Sequence, residues 1–298
     1  MASLQDLRRR IRSVRNTRKI TRAMELVAGA RLRKAQQRIE TMRPYAERMQ
    51  ELMIGTARAA TSVRGLPMLQ RREDERTVGL VVLTGDRGLA GAFNAQVLRR
   101  AFALDRAIRA EGKDVKWFAS GRKGASTLRF RRYPVEQAWV GFSDRPEFLD
   151  AQAVAHRVAE SYSNGDVDRV VVVYNEFVSP IVQRVAELQL LPIPEEALHE
   201  GEEEAEKERA LVGDFIYEPE PEEILQRLLP AYVETQLYRA LLESAASEQG
   251  ARMTAMRNAT KSAGELIDQY TLRMNRARQA EITQEILEVV AGADALGT

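Results

Sequence analysis

The segment TGDRGLAGAFN, residues 84–94, has the glycine content of a phosphate-binding loop and is the first candidate for chemistry. It follows an apolar, β-rich run and precedes an amphipathic segment, and phosphates often bind where a helix begins after such a turn. Gly85, Gly88 and Gly91 are spaced three apart, however, which is neither the dinucleotide fingerprint nor a P-loop. We therefore interpret these glycines as residues of tight turns rather than as a nucleotide site.

Other residue types that carry catalysis or bind metals are scarce in this chain. There is no cysteine, which excludes disulfides, thiolate catalysis and cysteine-bound zinc. His156 and His199 stand alone without ligand spacing, whereas a metal site needs several convergent ligands. No Ser–His–acid arrangement and no catalytic pair of carboxylates can be assembled from the sequence. We expect no catalytic residue, no cofactor and no metal site.

Lysines and arginines are concentrated at the start of the chain, and acids are concentrated later. Residues 1–64 contain 16 Lys and Arg against 5 Asp and Glu, whereas residues 195–223 contain 13 acids against two bases. The net charge of +2 therefore hides a strong segregation. Charge separated in this way predicts surfaces with different partners, and the acidic run at 195–210 is predicted to be a solvated loop.

The basic amino-terminal segment has three candidate partners: nucleic acid, a membrane surface and an acidic protein surface. Nucleic acid would be attracted by the arginines, but no recognition motif or aromatic platform accompanies them. A membrane surface would need Trp, Phe or Leu on the opposite face, and no stretch approaches the ~20 apolar residues of a membrane span. An acidic protein surface fits best, and a coiled-coil nucleic-acid-binding protein is the alternative.

The middle of the chain is predicted to form a Rossmann-like α/β domain over residues 76–214. Strands that alternate with helical segments favour βαβ units and a mostly parallel sheet. The last strand follows the fourth too closely for a crossover, so it is predicted to pair antiparallel. The five predicted strands are VGLVVLT (78–84), VKWFASG (115–121), EQAWVGF (136–142), DRVVVVYNEF (168–177) and IVQRVAELQLLPI (181–193).

Both ends of the chain have helical periodicity, over residues 1–64 and 221–298. Their narrow apolar stripes suit one partner helix each, as in a coiled coil. Because the α/β domain is inserted between them, we predict a long antiparallel two-helix coiled coil. If both helices start level at the domain, paired residue numbers add to about 277, which places Ile11 near Leu266. The last ~20 to 25 residues then project as a single helix, which needs a surrounding partner to be stable.

Nearly the whole chain resembles the gamma subunit of F-type ATP synthases. The terminal motifs are the specific ones, and the central turn is looser. The motifs that carry the resemblance are IRSVRNTRKITRAMELVAGARLRKAQ (11–36), RPYAE (43–47), DRGLAGAFN (86–94), ASEQGARMTAMRNAT (246–260) and RQAEITQEILEVVAGADAL (278–296).

This resemblance implies a central rotor stalk whose coiled coil stands inside a hexamer of alternating alpha and beta subunits. The α/β domain is then expected at the foot, together with epsilon, on the membrane ring of c subunits. Proton flow would turn the ring and the stalk, and the asymmetric shaft would drive the three catalytic beta sites through their states. The implied protein is not an enzyme by itself, is of the bacterial type, and is peripheral on the cytoplasmic face of the cell membrane.

The resemblance also assigns partner contacts by position. Met24 and Arg252 resemble a pair that faces an acidic lever loop of beta, and Arg33 and Lys34 lie further down the same basic helix. Contacts with the beta loop that grips the upper shaft are implied for Arg278, Gln279, Thr283 and Glu285. Contacts with the polar loops of the c ring are implied for Tyr217 and Glu218. The acidic stretch is the point at which this sequence departs from the family.

Overall fold

The protein is described here from a computed structural model that covers residues 4–60, 66–72, 74–180, 182–194 and 218–296, with side chains as far as residue 292. The chain divides into two units. The terminal unit comprises residues 1–28 and 253–298, and the central unit comprises residues 29–252. The predicted acidic loop at 195–210 and the end of the predicted domain, at 214, lie outside the described residues.

Helices and strands alternate through the central unit, and a long helix runs from each unit into the other. The elements are α1 (Leu4–Ala59), β1 (Thr77–Leu83), α2 (Phe93–Ala110), β2 (Asp114–Ser120), α3 (Arg122–Phe130), β3 (Val135–Trp139), α4 (Phe148–Ser163), β4 (Arg169–Phe177), β5 (Gln183–Leu191) and α5 (Pro221–Leu296). Pro221 is the first residue of α5, a position where proline loses no helical hydrogen bond.

The strands form one five-stranded sheet in the order β3-β2-β1-β4-β5. β1 pairs parallel with both β2 and β4, and β3 pairs parallel with β2. β5 pairs antiparallel with β4, as the short connection predicted. A mixed α/β fold with a mostly parallel sheet is therefore confirmed for the middle of the chain.

Each face of the sheet is covered by a separate hydrophobic cluster. Val81 and Leu83 point to the face covered by α4 and by the central-unit parts of α1 and α5. Leu80 and Val82 point to the face covered by α2 and α3. A strand buried on both faces reads as a continuous apolar run, which is why VGLVVL lacks alternation.

The third strand is shorter than predicted. The sequence suggested a strand over 136–142, but β3 ends at Trp139. Gly141 has a φ of 106° and donates its N–H to the carboxylate of Asp86 at 2.8 Å, so its backbone leaves the strand conformation. Hydrogen bonding to a distant side chain thus overrides the local β propensity of the run.

In the terminal unit, the first half of α1 contacts the middle third of α5. Thr21 Oγ1 and Thr260 Oγ1 lie 2.8 Å apart, and Arg257 Nε donates to Glu25 Oε1 at 3.1 Å. Because residue numbers rise along α1 while they fall along α5, the two segments run in opposite directions. The described residues buried in this unit are Leu7, Ile11, Thr21, Glu25, Ala28, Met256, Ala263 and Ile267.

The register of these two segments differs from the predicted one by about one helical turn. The bonded pairs 21 with 260 and 25 with 257 add to 281 and 282, against a predicted sum of about 277 that used helix ends read from the sequence. Leu266, predicted to lie near Ile11, is exposed, and its neighbour Ile267 is buried instead.

Candidate partner-binding surfaces

The glycine turn that first suggested phosphate chemistry contains a carboxylate whose hydrogen-bond donors all lie in the central unit. The Asp86 carboxylate accepts backbone N–H groups from Arg122 at 2.9 Å, Gly141 at 2.8 Å and Ser143 at 3.1 Å. Burial would raise the pKa of Asp86, but these three donors outweigh it and hold the pKa below its ordinary value. The turn therefore joins the ends of three strands and already contains its own anion.

The carboxyl-terminal segment of α5 exposes its side chains all around the helix. Every described side chain from Arg278 to Gly292 is exposed. Thr283 bonds back to the carbonyl of Gln279 at 2.9 Å, within the same helix. Large apolar side chains share this exposure: Ile282, Ile286, Leu287, Val289 and Val290. Exposed apolar side chains grouped in this way mark a candidate interaction surface.

Glu25 is the acid within the basic motif at residues 11–36, and it is bound by two arginines. Its side chain is 6% exposed, and it accepts bonds from Arg22 at 2.8 Å and Arg257 at 3.1 Å. Burial would raise the pKa of Glu25, but the two guanidinium groups outweigh it and hold the pKa below its ordinary value. Met24, the neighbouring predicted contact, is half-buried in the terminal unit.

We expect Glu25→Gln to lower the melting temperature of the chain at pH 7 by about 2–4 °C. Because the folded pKa lies below the unfolded one, the ionised carboxylate stabilises the fold above the unfolded pKa and stops doing so as pH falls through the folded pKa. The difference between the variant and the parent should therefore shrink below about pH 4. Melting curves across this range measure it, with the more exposed Glu51→Gln as a control on the same helix. A difference in melting temperature that does not change with pH would contradict stabilisation by the ionised Glu25 carboxylate.

In the central unit, four cationic side chains line one cavity of about 390 Å³ beside α1. These side chains are Arg31, Lys34, Arg38 and Arg145, and we refer to them as the basic groove. Arg31 is neutralised by Asp144 at 2.5 Å. Lys34 and Arg145 make no side-chain hydrogen bond or ion pair with the residues the structure describes. The groove therefore presents excess positive charge to an outside anion.

An apolar groove continues from the basic one along α1. Met42, Tyr45, Phe148 and Tyr238 line it, together with Lys34 and Arg38 from the basic groove. The rings of Phe148 and Tyr238 meet edge to face, with centroids 5.5 Å apart. A surface with adjoining cationic and apolar parts suits a protein segment that carries both acids and apolar side chains.

Sequence reasoning identified only part of the basic groove. Arg33 and Lys34, two of the predicted contacts, are both exposed on α1, but only Lys34 lines the groove. Arg31 and Arg38 were missed, although their spacing from Lys34, at three and four residues, is a signal for one helical face. Arg145 lies on the loop before α4, and no sequence signal brings it to α1.

The remaining predicted contacts have different surroundings. Arg252 is 8% exposed, and its Nη2 bonds Glu248 at 2.5 Å and the carbonyl of Gly88 at 3.3 Å. Glu218 is exposed just before α5, and Tyr217 lies outside the described residues. Within the described part of the chain no cluster of three or more metal-binding side chains occurs, and His156 instead bonds Glu234 at 2.9 Å.

None of the helices, over the residues the structure describes, has both the length and the apolarity needed to span a membrane.

Comparisons with known proteins identify the chain's relatives. A family model described as ATP synthase matches residues 3–296. The ATP synthase gamma chain of Rubrobacter xylanophilus is 48% identical over 296 residues, covering 99% of both chains. That of Moorella thermoacetica is 46% identical over 296 residues, covering 99% of this chain and 100% of the other.

Solved structures agree with this grouping. A chain from the central stalk and c ring of the Tetrahymena thermophila mitochondrial ATP synthase has a TM-score of 0.58 and 27% identity, over 80% of this chain and 99% of that one. A chain of the Euglena gracilis mitochondrial ATP synthase has a TM-score of 0.66 at 17% identity, over 98% and 94%, which indicates a shared fold. No comparison supports the nucleic-acid alternative. The chain belongs to the ATP synthase gamma chain family.

Proposed function

We propose that this chain is the rotor of an F-type ATP synthase, which couples proton-driven rotation of a c ring to the conformational cycle of catalytic beta subunits. It is the central stalk subunit and contributes no catalytic residue of its own. Its proposed partners are the alpha and beta subunits of the catalytic hexamer, epsilon and the c ring. Its proposed place is the cytoplasmic face of a bacterial cell membrane, to which it is bound peripherally.

The observation that carries this proposal is the fully exposed stretch from Arg278 to Gly292 at the end of α5. An isolated helix of this length is marginal in water, so a surrounding sleeve is needed to hold it. We infer that the terminal parts of α1 and α5 form an antiparallel two-helix coiled coil, and that the stretch beyond it stands inside the alpha–beta hexamer. Arg278, Gln279, Thr283 and Glu285 are the proposed contacts with beta there.

Further down the shaft, we assign the basic surfaces to an acidic loop of beta. Met24, Arg33 and Arg252 remain proposed contacts, and Lys34 is the strongest of the set because it is exposed, has no described partner and, unlike Arg33, lines the basic groove. Each orientation of the stalk would bind one set of beta conformations better than the others. Such differential binding shifts the populations of the three catalytic sites.

We also assign the segment before α5 to the c ring. Glu218 is exposed next to Pro219 and Glu220, so its carboxylate is available to polar loops of a partner. Tyr217 is assigned to the same contact from the family resemblance.

Reconstitution with alpha and beta subunits from a related bacterium tests the rotor proposal. The chain, added at an equimolar amount, is expected to stimulate ATP hydrolysis by the hexamer. It should also co-elute with the hexamer in gel filtration. A chain that neither co-elutes nor stimulates, but binds duplex DNA with a steep salt dependence, would refute the proposal in favour of nucleic-acid binding.

We expect the double charge reversal Lys34→Glu with Arg145→Glu to weaken binding to the alpha–beta hexamer by about tenfold at low salt. The two unpaired cations of the groove would become anions that repel the acidic loop of beta. Raising the ionic strength should reduce the difference, because screening weakens both attraction and repulsion. A titration of stimulated ATP hydrolysis against chain concentration measures the effect.

The matched control reverses two exposed cations away from the groove, Arg106→Glu on α2 with Arg129→Glu on α3. It changes the net charge by the same amount, and binding should stay within about twofold of the parent chain. Equal losses in the two double variants would show that net charge, and not the groove, determines binding.

A further inference from the structure

The sheet has one topological switch point, between β1 and β4. From β1 the chain proceeds to β2 and β3 on one side, and it then crosses to β4 on the other side. In open α/β sheets, ligands bind in the crevice outside the carboxyl ends of the strands at such a point. The crevice beyond Leu83 and Phe177, the last residues of β1 and β4, is therefore where a ligand of this domain would lie.

The chain's own helix α5 fills this crevice. Ser247 Oγ donates to the carbonyl of Asn175, in β4, at 3.1 Å. Glu248 lies against the turn after β1 so closely that a Cβ added at Gly85 would be 2.9 Å from its carboxyl carbon. Gly250 approaches the carbonyl of Pro180, so that an added Cβ would be 3.1 Å from it. Three residues of one turn of α5, Ser247, Glu248 and Gly250, thus occupy the position of a ligand.

A buried ion pair stands at the centre of this contact. Glu248 is 1% exposed and Arg252 is 8% exposed, and Arg252 Nη2 lies 2.5 Å from Glu248 Oε1. Arg252 Nη2 also donates to the carbonyl of Gly88 at 3.3 Å, which links α5 to the glycine turn. Burial raises the pKa of Glu248, and the guanidinium of Arg252 opposes that rise only in part.

Such a pair is poor evidence for stability, but its geometry is directional. Apolar side chains can slide over each other with little change in energy, because burial of apolar area has no direction. A buried charge-assisted hydrogen bond requires particular distances and angles, and it becomes costly once one partner moves away. The pair therefore opposes rotation or sliding of α5 against the carboxyl ends of β1 and β4.

We propose that the ligand crevice of the α/β domain is a socket for α5, and that Glu248 is a positioning residue which, through Arg252 and the glycine turn, fixes the helix against the sheet while torque passes between them. This inference rests on the proposed rotor function. It assigns the crevice in which a ligand of such a domain would lie to a mechanical joint inside one chain.

The test uses the complete ATP synthase reconstituted into vesicles and measures protons pumped per ATP hydrolysed. Glu248→Gln, which preserves the side-chain shape but removes the charge, is expected to lower this ratio at least threefold while hydrolysis stays within about twofold. The exposed pair Glu223 and Arg227 on the same helix, 2.6 Å apart, supplies the control. Glu223→Gln with Arg227→Gln should leave the ratio unchanged.

A second variant separates positioning from stability. Glu248→Leu with Arg252→Met replaces the pair by apolar side chains, a change that usually preserves or increases stability. If its melting temperature and its affinity for the alpha–beta hexamer are unchanged and the proton-to-ATP ratio still falls at least threefold, the pair positions α5, and the loss does not come from the proposed contact of Arg252 with beta. A normal ratio in this variant or in Glu248→Gln would overturn the inference. A parent enzyme that hydrolyses ATP without any stalk-dependent pumping would overturn the rotor function instead.

Discussion

Deletion of residues 278–298 is expected to leave the melting temperature of the isolated chain within about 1 °C of the parent, but to reduce stimulated ATP hydrolysis by the reconstituted hexamer about tenfold. Every described side chain from Arg278 to Gly292 is exposed in the chain alone. Such residues add little to the free energy of unfolding. Their apolar members would no longer make the proposed contacts with the alpha–beta hexamer, and burial of apolar area is the main source of such binding.

The comparison is made by calorimetry on the chain and by ATPase titration with alpha and beta subunits. The matched variant keeps the helix and replaces its four proposed polar contacts, Arg278, Gln279, Thr283 and Glu285, by alanine. We expect a smaller loss, about threefold, because the apolar side chains remain. A drop of several degrees in the melting temperature of the truncated chain would contradict the exposed structure of this segment.

Gly121→Ala is expected to destabilise the central unit by roughly 4 kcal/mol or more, a large part of the stability of an ordinary domain. Gly121 has a φ of 96°, and a Cβ added there would lie 1.9 Å from the carbonyl oxygen of Thr84. That oxygen cannot move away freely. Thr84 is held by its N–H bond to Ser120 at 2.8 Å and by its Oγ1, which accepts the N–H of Gly124 at 2.9 Å.

Gly112 supplies the matched control for this substitution. It also has a positive φ, 80°, but an added Cβ would meet no atom within 4 Å. Gly112→Ala should therefore lower the free energy of unfolding only by the intrinsic cost of a positive φ in a residue with a Cβ, about 1–2 kcal/mol. Urea unfolding followed by circular dichroism measures both values. Equal losses at the two positions would mean that backbone conformation, and not the collision with Thr84, dominates.

The elements of this fold were predictable because local patterns determine them. The apolar run at Leu80 to Leu83 is continuous because both faces of β1 are buried, and the antiparallel β5 follows from a connection too short for a crossover. The end of β3 was not predictable. It depends on a bond between Gly141 and Asp86, and nothing local to the strand encodes a partner 55 residues away.

The candidate partner-binding surfaces were predictable only where all of their residues lie on one helix. The projecting residues after Arg278 follow from the lengths of the two helices, whereas Lys34 was implied by the family resemblance. Arg145, by contrast, reaches the basic groove through a loop, and the occupation of the crevice by Glu248 depends on how the sheet and α5 pack. The glycine turn suggested phosphate binding for a sound chemical reason, since an anion does lie there, but that anion is a carboxylate of the same chain.

The exposed apolar side chains near the end of α5 also determine how a cell must handle copies that have not been assembled. Ile286, Leu287 and Val289 are features that chaperones and quality-control proteases recognise, and at high concentration they favour aggregation. Orphan copies are therefore expected to be short-lived. The amount of this protein in the cell should follow the supply of its partner subunits rather than its own rate of synthesis.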